Sequence, residues 1–184
     1  NRDFSEACPS RQNSWTSGTI HSDLLATKAF VYNPCSFDSS PPQLEAQNAE
    51  YGAYVFNLNG LSIRFRVAKI TPTKVGHFVT LWERIGDGPI QPYDALDSVD
   101  LFVISTREGK NFGQFIFPKS VLREHDILSS KGKGGKRGIR VYPPWAKTTS
   151  SQAQKTQKWQ LEYFLEIPKN EPIDCDRARL LYGL

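Results

Sequence analysis

Two short apolar runs, Leu101-Phe-Val-Ile-Ser105 and Gly113-Gln-Phe-Ile-Phe117, constrain the fold more than any other feature of the chain. Each has strand rather than helix length. The first is apolar on both parities, so both faces of its strand need cover. A sheet buried on both sides requires layers above and below it. The chain's 184 residues supply one such core and not two. No apolar stretch approaches the length that crosses a bilayer, so a membrane is not among the expected partners.

Other strands read from a period of two. Tyr54-Val-Phe-Asn-Leu58 and residues 61–70, joined by Asn59-Gly60, predict a hairpin. Residues 77–84 predict a further strand, and 139–142 another. Helices are predicted over residues 22–31 (with Leu24, Leu25 and Phe30 inward), from Ser120 to about Leu128, and over 151–167, where Pro168 ends the pattern. Residues 44–50 suit either a short helix or an extended lead-in. The expected class is α/β, a mixed sheet of about five or six strands flanked by helices. The expected organisation is a polar arm over 1–19, one domain over 20–168, and a loose tail over 169–184 in which residues 180–182 could dock.

The net charge of +4 hides an uneven distribution. Between Ile127 and Leu161 stand eight basic residues and no acid (Lys131, Lys133, Lys136, Arg137, Arg140, Lys147, Lys155 and Lys158), so the rest of the chain is net acidic. Such asymmetry points to a polyanionic partner, although a charge run is often only a solvated loop. The three cysteines have no metal-site spacing. One disulfide, for instance Cys8 with Cys35, is compatible with the count. The histidines are scattered, and no hydrolytic triad motif is present. No secretory leader is visible, and the expected compartment is intracellular.

Four features do not fit a plain core. A helical wheel over 151–167 puts Gln152, Thr156 and Gln160 on the same side as Trp159, Tyr163, Phe164 and Ile167. Amides there must bond neighbouring backbone or line a polar groove. Lys69 continues the register of Ile63, Phe65 and Val67, with Lys74 in the following turn. Lys119 follows a buried strand, at a sheet mouth where α/β folds bind ligands. The segment Ser130-Lys-Gly-Lys-Gly-Gly-Lys-Arg-Gly138 lacks P-loop spacing, yet its glycines and cations suit phosphates. It reads either as a phosphate cradle or as a flexible connector. Arg140, Tyr142, Trp145 and Lys147 then interleave aromatic and basic groups, as binders of single-stranded nucleic acid do.

The stretches Glu50-Tyr-Gly-Ala53, Phe65-Arg-Val-Ala-Lys-Ile-Thr-Pro-Thr-Lys74, Phe78-Val-Thr-Leu-Trp82, Gly113-Gln-Phe-Ile-Phe-Pro-Lys119, Gly135-Lys-Arg137, Arg140-Val-Tyr-Pro-Pro-Trp145 and residues 152–160 resemble the MepB family over about 22–167. The resemblance implies an α/β fold similar to the restriction-endonuclease-like, PD-(D/E)XK nucleases, and no defined activity. Such a nuclease holds Mg²⁺ with acids and orients water with a lysine. Glu50 and Asp100 would be the acids and Lys119 the lysine. The position two before Lys119 is Phe117 rather than an acid, and Arg107-Glu-Gly-Lys110 has the acid-x-lysine spacing only within a turn, so the motif reads as degenerate. The expected function is binding of nucleic acid or a nucleotide phosphate without cleavage and without a cofactor. Lys69, Lys74, Lys119, Lys136, Arg137 and Arg140 would meet phosphates. Trp145 and Trp159 would stack on bases, and Gln152, Thr156 and Gln160 would hydrogen-bond within the groove. The alternatives are the Mg²⁺-dependent nuclease and a regulatory protein that docks an acidic protein partner.

Overall fold

The computed structural model describes residues 15, 20–45 and 52–184. Helix α1 (Ser22–Thr27) opens where His21 Nδ1 accepts the Asp23 amide, and it continues as a π-helical turn, Lys28–Tyr32. Leu24, Thr27 and Val31 share one face at helical spacing and are buried with Tyr32. Leu25 and Phe30, expected inward, fall off that face and are exposed. Short β1 (Gln43–Leu44) precedes the hairpin β2 (Tyr54–Leu58) and β3 (Leu61–Val67), then β4 (Lys69–Ile70). β5 (His77–Thr80), β6 (Trp82–Glu83) and β7 (Gln91–Pro92) lead to the long pair β8 (Leu101–Glu108) and β9 (Asn111–Pro118). Helix α2 (Lys119–Glu124), β10 (Gly138–Val141), α3 (Ser151–Leu161), β11 (Phe164–Glu166) and α4 (Cys175–Tyr182) complete the chain.

The main sheet has the order β1-β2-β3-β8-β9-β11 and is mixed, because β3 and β8 run parallel while the other neighbours are antiparallel. Asn59 and Gly60 both take positive φ, as a tight two-residue hairpin turn with matching twist requires. Alternation along the central strands feeds two cores. Leu101, Val103 and Ile116 join α1, the π turn and α4 on one face, whereas Phe102, Ile104, Phe115 and Phe117 pack with α2 and a second sheet on the other. That second sheet has the order β10-β5-β4. No helix among the described residues is long and apolar enough to cross a membrane.

The largest fully buried side chain of this fold is a paired charge. The Arg66 side chain is fully buried, and it grips both Glu45 carboxylate oxygens at 3.0 and 2.9 Å and the Tyr93 hydroxyl at 2.8 Å. A guanidinium without such partners could not be kept there.

Four expectations change. The register that carries Ile63 and Phe65 inward does not reach Lys69: β3 stops at Val67, the Ala68 amide donates to Ser105 O, and Lys69 crosses to the second sheet opposite Phe78, where it is exposed. The last predicted helix ends at Leu161, because the open edge of β9 captures the next residues as a strand: Phe164 pairs with Phe115 and Leu165 with Gln114. Phe164 and Leu165 then enter opposite cores, which a helix could not achieve. The expected loose tail is largely α4, capped by Asp174 and by Gly183 in the left-handed region. Its Tyr182 is buried and bonds the Tyr32 hydroxyl at 2.9 Å and Gln114 Oε1 at 2.5 Å, while Leu180 stays exposed. Cys35 pairs with Cys175 rather than Cys8, across 140 residues, because α4 packs beside the π turn. Cys8 lies outside the described residues.

Candidate functional site

A groove of about 490 Å³ lies between α3 and the β5–β10 face of the second sheet. Gln160 sets its width. Its side chain is buried; its Oε1 accepts the Tyr142 amide at 2.8 Å and its Nε2 donates to Arg140 O at 2.9 Å. These are the two main-chain groups that a further strand on the free edge of β10 would have satisfied, so one glutamine fastens the helix to the sheet.

The N-terminal end of α3 opens onto the same groove. Ser150 caps it by accepting the Ala153 amide, which leaves the amides of Ser151 and Gln152 without an intrahelical partner. The first turn carries no acid, so the positive end of the helix dipole is uncompensated. Arg140, on β10, donates to Thr71 Oγ1 at 2.9 Å and thereby anchors the 71–76 turn that carries Lys74.

The Gly-rich segment 129–138 is a built loop rather than a slack connector. Lys131, Gly132, Gly134 and Gly135 all take positive φ. The Asp94 carboxylate accepts from Gly132 N, Ser129 Oγ and Leu96 N, and the Gly132 bond is the main reason its pKa lies below the ordinary value. Lys136 N donates to Ile127 O, and Arg137 O accepts the Leu81 amide, each at 2.9 Å. A side chain at Gly135 would meet Ser129 N at 2.7 Å and Pro92 Cβ at 2.8 Å, so glycine is required there both for φ and for space. The loop therefore presents Lys136 to the groove from fixed backbone.

At the far end His125 lies flat on Trp159, with centroids 3.9 Å apart and 9° between planes. Trp159 rests in turn on Phe117. His125 follows α2, far along the chain from Trp159, and no sequence pattern links them; it is a lining residue that sequence reasoning missed.

The structure brings Lys74, Lys136, Arg140, Gln152, Thr156, Trp159 and Gln160 together in this groove. It places five expected residues elsewhere. Lys69 is on β4, the cross-strand partner of the lining Phe78, and is not itself part of the lining. Arg137 is not part of the lining, although its carbonyl helps hold the loop. Trp145 packs edge-on against His77 and Phe164 and borders a separate cavity with Phe164 and Phe112. The Lys119 ammonium donates to Asp97 O. Asp100 flanks the same end of the β8–β9 pair, but its carboxylate accepts the Ser62 amide at 2.7 Å. Glu50 lies outside the described residues, and among those described no three His, Cys, Asp or Glu side chains gather closely enough to hold a metal ion. No metal-dependent step follows from this geometry.

None of the eight cations of the 127–161 block has a carboxylate within ion-pair distance among the described residues. The carboxyl groups that do cluster lie away from the groove. Glu83, burdened first by burial and then by its hydrogen bond to Asp97, is pushed up to about 8.

A protein-family model described as MepB-like matches residues 45–166. A solved structure, the crystal structure of MepB, shares 31% identity with this chain, covers 82% of it and 100% of its own chain, and superposes with a TM-score of 0.69. No curated protein matches.

Proposed function

The chain belongs to the MepB-like family, and on that premise we propose that its groove binds a phosphate-bearing partner, nucleic acid or nucleotide, without cleaving it. One observation carries the reading: the lining holds Lys74, Lys136 and Arg140, the N-terminal turn of α3 and, among the described residues, no carboxylate. Three cations without a carboxylate partner among the described residues and a helix N-terminus around one concavity form a positive well that water-exposed phosphates can enter without losing all their hydration. The pinned loop lowers the entropy cost of binding, because the backbone that carries Lys136 is already in place. Phosphate contacts of this kind position a partner and do not read sequence. Cleavage would need a general base or metal ligands beside the bound phosphate, and Asp100, the described one of the two acids named for that role, is not part of the lining. The restriction-endonuclease-like relation suggested by the sequence is not needed for binding.

A salt titration tests the reading. With three phosphate contacts, affinity for a labelled oligonucleotide should fall roughly 20- to 40-fold between about 50 and about 200 mM salt. The double variant Lys74→Ala, Lys136→Ala should bind more weakly and with a shallower salt dependence. Flat salt dependence, or no binding at low salt, refutes the proposal.

A further inference from the structure

The two ends of the groove differ in kind. One end is electrostatic: Lys74, Arg140 and the α3 N-terminus line it, and the concavity continues past them to Thr148 and Thr149. The other end is aromatic, formed by His125 lying on Trp159, with Lys136 held beside it by its amide on Ile127 O. Between them Gln152 and Thr156 turn an amide and a hydroxyl into the groove, and neither side chain hydrogen-bonds protein among the described residues. Charge at one end, a flat ring surface at the other and hydrogen-bonding groups between match the parts of one nucleotide.

We infer that the groove takes an unpaired nucleotide of a single strand, its base stacked on His125 and its phosphates over the α3 N-terminus. This rests on the phosphate-binding reading and adds to it. Trp159 is committed to the core side of the stack, through Phe117. His125 is half-buried, and Trp159 is the only ring packed against it among the described residues, which leaves its other face for a base. A duplex keeps its base faces stacked internally and could engage only the cationic end. A bare phosphate chain would do the same. Every base has a π face, so the platform selects for unpaired strands rather than for a sequence.

The test compares three labelled probes of equal phosphate number at low salt: a single-stranded oligonucleotide, a hairpin duplex and an abasic sugar-phosphate oligomer. Wild-type protein should bind the single strand about 5- to 150-fold more tightly than the abasic probe, the range expected for one stacked base. The single strand should also quench tryptophan fluorescence where the abasic probe does not. His125→Ala should bring single-strand affinity down toward the abasic value. Trp159→Phe, which keeps a ring under His125, should retain most of the advantage. Equal binding of single-stranded and abasic probes, or tighter binding of the duplex, overturns the inference and leaves the phosphate-binding reading intact. Failure of all three probes to bind sinks both. If His125→Ala does not fold, the wild-type comparison decides alone.

Discussion

Replacing Gln160 by Met separates its two roles, groove contact and fastener between α3 and β10. Methionine approximates the shape of glutamine and stays apolar, so little packing volume changes. Two bonds are lost, to Arg140 O and from the Tyr142 amide. A buried main-chain group left unsatisfied costs about 1–3 kcal/mol. Both bonds are only part-buried, so water recovers some of that and the lower half of the summed range applies, about 2–4 kcal/mol. For a chain of this size that lowers Tm by roughly 4–16 °C. Urea unfolding of wild type and Gln160→Met gives the difference directly, and binding is measured at a temperature where both are folded. A stability change under about 0.5 kcal/mol, the range of an ordinary surface substitution, combined with weakened binding would refute the fastener role and make Gln160 a ligand contact.

Other groups give further outcomes. Cys175→Ser opens a loop spanning 140 residues, for which chain entropy gives a loss of about 5 kcal/mol; urea unfolding that moves by less than about 1 kcal/mol would show that α4 docks without its staple. His77 is buried beside Trp145, and burial lowers its pKa despite Glu108 at 3.7 Å. The folded state therefore resists protonation, so stability is complete above about pH 6.5 and declines as pH falls below it, and His77→Gln should flatten that slope in denaturation at several pH values. Glu83 has the opposite sign. Its raised pKa means the folded state holds a proton the unfolded chain has released, so its contribution is complete below about pH 4.5 and is lost as pH rises through about 8. Glu83→Gln should remove that decline, and an unchanged profile would rule out Glu83 as the group responsible.

The hairpin around Asn59-Gly60 and the doubly buried β8 obey local rules, since φ preference and the two-residue period act within a few positions. The 151–167 segment shows where those rules end. Its helical wheel holds through Leu161 and then yields to the free edge of β9, a partner far away in sequence. Lys69 fails in the same way, because a strand that changes sheets after Val67 breaks a register that sequence can only extrapolate.

What the sequence determined by itself is the inventory: a central sheet covered on both faces, a block of cations without acids, and amides on the apolar side of the last long helix. Those depend on composition and short-range periodicity. Which cations share a groove, that Gln160 is spent on β10 while Gln152 and Thr156 are left open, that His125 meets Trp159, and that Cys35 meets Cys175 were decided only by the tertiary fold. Each of these pairs long-separated segments, and such contacts are selected by packing of the whole core, for which no local pattern carries the information.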